Sequence, residues 1–335
     1  MHILVRNAVK DLYLIKLLSV FFDVILTWGV MRITGHFAKS AERQLLVFFL
    51  VLLWPTVILN GALWGQCDSI YVAFAVLSIA MALEDRPWLS VTAMGACFAF
   101  KLQAVFFIPA LLLFLMRGKL QWKHLLAFPI INVILVLPAV IAGRGLWDAL
   151  TVGLQETGSI GDGLNYNSPS VFAFFRNVAN PTEAGQFGIL AAALVIAIVA
   201  VVFFWKRKTA SDLSLLMGTV LLAVAIPFFL PHMHDRYFYG ADMFSLALGC
   251  AVLPLIPLAL LCEFASGLGY HAYLKMRYLL LMHWGSWALM IVMGVLVLCL
   301  IRELSKKPEP PKISKARKKT SSAAAKKPAP RKNKA

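Results

Sequence analysis

Charge is scarce in this chain, and acid is scarcer than base. Only 14% of its 335 residues are Asp, Glu, Lys or Arg, with 16 acids against 32 bases. Soluble domains carry about 25% charged residues, so a water-facing surface is excluded for most of the chain. Cysteine is thin as well. The five, at 67, 97, 250, 262 and 299, are scattered without a Cys-x-x-Cys or Cys/His ligand spacing, which argues against a disulfide framework and a zinc site. The nucleophile motif GxSxG and the phosphate loop GxxxxGK[ST] are absent, and no nucleotide-binding signature replaces them. The N-x-S/T sequon is missing too, because Asn180 is followed by proline. No internal repeat is visible, so an inverted-repeat transporter has no support.

What is present is apolar. Hydrophobic residues make up 60% of the chain, and the windows 45–63, 124–142, 187–205 and 281–301 exceed the ~18 apolar residues that mark a spanning helix. The first apolar stretch is long and has no small-residue cleavage site, so it reads as a span and not a removable signal. The fold class expected is all-α, a polytopic transmembrane helical protein. Lys/Arg-rich short loops stay cytoplasmic, which places RGKLQWK (117–123), KRK (206–208) and the C-terminal tail inside. Parity then predicts about eleven crossings, several of them short or broken. They fall near 12–33, 45–63, 68–83, 88–100, 104–116, 124–143, 187–205, 214–230, 238–254, 255–272 and 278–301, with a long outer loop at 144–186. EDRP (84–87) reads as a turn, and Pro254 with Pro257 as a break. FKLQ (100–103) is either the tip between two short helices or part of one long tilted helix with a buried lysine.

The domain reading is a membrane domain over 1–301 and a basic tail over 302–335. The tail holds 13 of the Lys and Arg residues against Glu303 and Glu309, and its Lys/Pro/Ala/Ser composition predicts disorder. It serves as a cytoplasmic anchor that sets topology, or as a polybasic segment that touches anionic lipid or nucleic acid. The first reading is favoured, and no nucleic-acid partner is expected.

The parity model puts four polar segments on one face: WGQCDS (64–69), FKLQ, the acidic Asn/Pro loop, and HMHDRY (232–237). Together they supply Gln66, Asp68, Lys101, Gln103, His232, His234, Asp235 and Arg236. Ionisable groups are costly beside lipid and are there for function by default. Cations with hydrogen-bond donors at a membrane face suit a lipid-linked anion, since Arg and Lys bind phosphate through charge-assisted hydrogen bonds. Each residue also has a plainer reading. Asp68 can cap the helix that follows it, Lys101 can snorkel to the interface, and Asp235 can neutralise Arg236. Tyr237, Phe238 and Tyr239 read as interfacial belt residues, and Asp23, with Lys16 nearby, as a helix–helix hydrogen bond. His232, His234 and Asp235 could also ligate a divalent metal, but no further ligand cluster with metal spacing lies nearby. No cofactor is called for.

Five segments, in this order, carry a family resemblance: LIKLLSVFFDVILTW (14–28), WGQCDSIYVAFAVLSIAMAL (64–83), FAFKLQAVFFIPALLL (98–113), LNYNSPSVFAFF (164–175) and PHMHDRYFYGADMFSLAL (231–248). The chain resembles the membrane-embedded GT-C glycosyltransferases, and looks most like the bacterial group related to the second mannosyltransferase of glycosylphosphatidylinositol assembly. The resemblance covers roughly residues 12–300. It implies inverting transfer of a sugar, mannose by the nearest resemblance, from a polyprenyl-phosphate donor to an envelope glycolipid or glycan on the outer face of a bacterial plasma membrane. It also implies that His232, His234 and Arg236 face the donor phosphate and stabilise charge on the leaving group, with Lys101 and Asp68 as looser carry-overs and Gln66 and Gln103 in support.

In such enzymes the base is a carboxylate in the first outer loop, and the LIKLLSVFFD segment follows that loop. Here the segment starts near the first residue, so the expectation is that one crossing and the acidic loop are missing and that the base is unknown. Asp68 and Asp235 are the second-line candidates. Two non-transferase readings stay open: a polyprenyl-phosphate-binding partner subunit, and a transporter or flippase for a lipid-linked anion.

Overall fold

The computed structural model describes residues 10–155, 161, 163–175 and 177–306. The expected tail lies outside the described residues from 307 onward, as does part of the expected outer loop.

The described chain is built from helices. They are α1 (Asp11–Phe37), α2 (Ala41–Leu52), α3 (Pro55–Val57, continued as a π-helix over Ile58–Trp64), α4 (Asp68–Leu83), α5 (Pro87–Phe100), α6 (Ala110–Arg117), α7 (Ala127–Ile141), α8 (Leu146–Gln155), α9 (Pro181–Trp205), α10 (Asp212–Phe229), α11 (Tyr239–Ala251), α12 (Ile256–Leu274) and α13 (His283–Leu304). Two short parallel strands, β1 (Asn165–Tyr166) and β2 (Met233–His234), are the exception.

Among the described residues six helices are long and apolar enough to cross a membrane: Asp11–Phe37, Trp122–Ile141, Pro181–Trp205, Asp212–Phe229, Leu253–Leu274 and His283–Leu304. The pair Ala41–Leu52 and Pro55–Trp64, bent by 44°, makes a seventh if counted as one span. The chain is thus an all-α, multi-pass membrane protein. Each of the eleven apolar segments expected from the sequence falls on helical structure, but four are short. Those four are α4, α5, the 102–117 stretch and α11. At 1.5 Å per residue, 13 to 16 residues rise only about 20–24 Å against a ~30 Å hydrocarbon core.

The short helices form the centre. Every residue of α11 is buried, and in α4 every residue except Phe74. Long helices such as α7 and α9 surround them and turn Ile130, Ile134, Leu190 and Leu194 outward, as a lipid-facing surface requires. Two interior acids are tied across helices. Glu263 of α12 accepts hydrogen bonds from Thr56 N (2.9 Å) and Oγ1 (2.8 Å), and Ser266 Oγ donates to Asp242 of α11 at 2.8 Å. Unpaired, these groups would each cost stability in an apolar interior.

Local chemistry fixes the boundaries. The chain turns at EDRP, where Asp85 adopts φ 58° and Pro87 opens α5. Asn180 accepts a bond from Glu183 N at 3.4 Å, and Pro181 starts α9 six residues earlier than hydropathy suggests. At FKLQ the tilted-helix reading is overturned. Helix α5 ends at Phe100, Lys101 is extended (φ −159°, ψ 133°), and a 3₁₀ turn covers Leu102–Phe106. The proline pair acts as expected, with a 3₁₀ turn over Leu253–Leu255 between α11 and α12.

At one end of the bundle the basic loops are tied together. Lys119 Nζ donates to Leu83 O (3.0 Å) and pairs with Asp85 and Asp212, and His36 meets Asp212 at 2.8 Å. The residues expected to carry chemistry gather at a different place.

Candidate active site

Asp68 is the first residue of α4, yet it does not cap that helix. Its side chain is fully buried and ion-paired to Lys101. The second carboxylate oxygen accepts from Asn60 Nδ2 at 2.8 Å and lies 3.5 Å from Arg236 Nε. Lys101 therefore does not snorkel: the break after α5 turns it inward, where its Nζ also lies 5.4 Å from the Tyr71 ring centroid. Three segments distant in sequence thus converge on one carboxylate. Asn60 donates to the Tyr270 hydroxyl as well, at 2.7 Å, tying α12 to the cluster.

Arg236 occupies the centre. Its guanidinium lies 5.3 Å from the Trp64 ring and 5.8 Å from that of Tyr237, and Trp64 stacks on Tyr273 at 4.3 Å. Its Nη1 is 3.7 Å from Asp235 Oδ1, too long for a hydrogen bond. Among the described residues Asp235 Oδ1 has no hydrogen-bond partner, although Asp235 is only 3% exposed. Burial pushes the Asp235 carboxyl up to about 6, with Arg236 opposing the rise.

The HMHDRY turn is held by the 144–186 loop. Strands β1 and β2 pair Asn165 with Met233 and Tyr166 with His234. His232 adopts φ 60°, donates its backbone N–H to Leu164 O at 2.8 Å, and sets Nδ1 2.8 Å from Gly163 O. The His234 ring stacks on Tyr166 at 4.6 Å. Burial, then Arg236 and Lys101, lower the pKa of His234, which favours the neutral ring. The two imidazoles part: one is spent on the loop backbone, the other faces the site. No group of three His, Cys, Asp or Glu side chains among the described residues is placed to hold a metal ion. From behind, α12 approaches so closely that a Cβ on Gly269 would lie 2.7 Å from Asp235 O and 2.8 Å from Asn167 O.

Two cavities flank this wall. The larger, about 800 Å³, is lined by Asn165, Asn167, Asp235, Tyr273, Tyr278 and His283, among others. The second, about 540 Å³, is lined by Lys101 and Gln103 together with Phe98, Phe100, Val136 and Leu150. Tyr166, His234 and Arg236 border both.

Of the residues singled out in the sequence, Asp68, Lys101, His234, Asp235, Arg236 and Gln103 meet here. Gln66 contributes its backbone: its carbonyl accepts from Ser19 Oγ at 2.7 Å and its N–H bonds Asn60 O at 2.9 Å. Like His232, it lines neither cavity. Sequence reasoning passed over Asn60, Trp64, Tyr166, Tyr270 and Tyr273. Trp64, opening WGQCDS, and Tyr166, inside LNYNSPS, carried a signal; the others lie in helical or apolar surroundings that hide them.

A multi-pass helical membrane protein with a buried carboxylate–lysine–arginine cluster between two cavities is the class that fold and site define. The chain matches glycosyltransferase family 87 over residues 11–231, well over half its length. It belongs to that family, and it is a glycosyltransferase. The matched range holds Asp68, Lys101 and the 144–186 loop, and stops just short of HMHDRY. A comparison with curated proteins found no match.

Proposed function

We propose that this chain is a GT-C-type enzyme that moves a sugar, mannose by resemblance, from a polyprenyl-phosphate donor to an envelope glycolipid or glycan at the outer face of a bacterial plasma membrane, with inversion. The observation that carries the reading is the pair of cavities sharing one cationic wall. The cavity beside Lys101 is lined by Phe98, Phe100, Val136 and Leu150, which suits an isoprenoid chain. Lys101 and Arg236 at its head suit a phosphate. The larger cavity, with two asparagines and several aromatic rings, suits a carbohydrate acceptor.

In this reading the phosphodiester donor leaves as polyprenyl phosphate, and fixed positive charge stabilises the negative charge that grows on it. A phosphate leaving group needs little protonation, so a neutral His234 serves as a hydrogen-bond partner there and not as an acid. His232 acts at one remove, by fixing the loop that carries Tyr166. The basic loops at the other end of the bundle would face the cytoplasm, with the C-terminal tail on that side.

The test is a transfer assay in membranes containing this chain, with radiolabelled polyprenyl-phosphate mannose and parallel donors bearing other sugars. Label appearing in a glycolipid or glycan with inverted linkage is the expected result. Turnover only from a nucleotide sugar would overturn the donor assignment. Tight donor binding without turnover would favour a non-enzymatic partner subunit, and label crossing the bilayer unchanged would favour a flippase.

A further inference from the structure

Two carboxylates stand at the site, and their surroundings are opposite. Asp68 lines neither cavity. One of its oxygens pairs with Lys101, and the other with Asn60 and Arg236, so both are already engaged by protein side chains. Asp235 lines the larger cavity, its Oδ1 has no hydrogen-bond partner among the described residues, and its nearest cation stands off at 3.7 Å. The backbone of Asp235 directly follows β2, which pairs with β1, and packs against Gly269 of α12. Buried polar atoms without partners are rare and call for an explanation.

The two cavities also divide the chemistry. Lys101 borders only the second cavity and Asp235 only the larger one, while Tyr166, His234 and Arg236 border both. An inverting displacement needs this division, with the nucleophile and its base on one side of the anomeric carbon and the leaving group on the other.

We propose that Asp235 is the general base of the transfer, an assignment that rests on the glycosyltransfer reading above. Its carboxylate takes the proton of the acceptor hydroxyl while the acceptor oxygen forms its bond to the anomeric carbon. The bond from that carbon to the phosphate oxygen breaks, and its electron pair leaves with polyprenyl phosphate toward Lys101 and Arg236. The proton then passes from Asp235 to water in the larger cavity. His234 is less suited to this role, because a proton on it would add a third positive charge beside Arg236 and Lys101.

The groups that set the charge on Asp235 are Arg236 and Asp68, and His234, Tyr273, Tyr278 and His283 share its cavity. A carboxyl pushed up to about 6 by burial is a better proton acceptor than an exposed one, and is still ionised at pH 7.

The experiment compares wild type, Asp235→Asn and Asp235→Glu in membranes. Readouts are transfer to the hydroxyl acceptor, transfer to azide, which needs no base, and binding of polyprenyl phosphate. Asp235→Asn is expected to lose hydroxyl transfer by about 10²–10⁴-fold, to keep phosphate binding within about twofold, and to form glycosyl azide. Asp235→Glu should keep part of the activity with a displaced acid limb. Hydroxyl transfer by Asp235→Asn within about threefold of wild type overturns the assignment. So does parallel loss of hydroxyl transfer, azide transfer and phosphate binding, which marks a residue that only holds Arg236. A wild type inert toward every polyprenyl-phosphate sugar overturns the functional reading and this assignment with it.

Discussion

The Asp68 carboxylate and the Arg236 guanidinium meet inside the bundle, with Nε 3.5 Å from Oδ2, while Lys101 closes on the other oxygen. One fully buried acid thus organises two cations that come from the end of α5 and the start of α11. Removing one partner of such a group leaves uncompensated charge in an apolar interior, whereas removing a matched pair leaves little.

Asp68→Asn should therefore lower stability by about 3–5 kcal/mol, seen as a marked drop in the unfolding temperature of the purified protein in detergent. The double variant Asp68→Asn/Lys101→Met should recover part of the loss. Equal unfolding temperatures for wild type and Asp68→Asn would show that the cluster does not hold the fold.

Arg236→Lys keeps the charge and discards the planar fork and its stacking over Trp64. Turnover is expected to fall by about 10²–10³-fold, the loss typical of a charge-stabilising donor, with insertion unchanged. A lysine variant within about threefold of wild type would mean that charge alone suffices at this position.

Asp235→Asn should be more stable than wild type at neutral pH. The folded-state pKa, raised from 3.8 to about 6, means that the folded protein binds this proton more tightly than the unfolded chain. The group therefore favours folding below about pH 4 and loses that contribution as pH rises through 6. Ionised Asp235 then costs the fold roughly 3 kcal/mol at most. The stability gap between variant and wild type should be widest above pH 7 and close as pH falls toward 4. A gap independent of pH would contradict the burial argument.

Gly269→Ala tests the clamp behind the site. Its Cβ would press on the backbone oxygens of Asp235 and Asn167, and overpacking of this kind costs about 1–3 kcal/mol. Activity should fall more than stability does, because the displaced atoms are those of the turn that carries Arg236. Wild-type turnover would show that the turn tolerates the shift.

Much of the fold was legible because lipid imposes it. Apolar runs must be helical to satisfy their backbone groups, so the segments around 12–33, 187–205 and 278–301 had one available structure. Two breaks were legible from proline, the EDRP turn at Pro87 and the Pro254/Pro257 pair, whereas Pro138 and Pro227 lie inside helices. What length alone could not decide was whether a short run such as 68–83 or 239–251 crosses in full or sits enclosed at the centre. Neighbouring helices settle that.

For the site, the sequence determined the inventory, and tertiary structure determined the roles. Composition and the positions of charged groups relative to the apolar runs were enough to single out Asp68, Lys101, Asp235 and Arg236. A one-dimensional reading could not distinguish a capping Asp68 from a counter-ion or a snorkelling Lys101 from a buried one, because each choice depends on what faces the side chain across the bundle. Only packing brought Lys101 onto Asp68, turned His232 to a loop carbonyl and set Asp235 beside a cavity with its buried Oδ1 unpartnered among the described residues. In an apolar interior a charge takes the identity of its nearest partner, and residues far apart in the chain supply that partner.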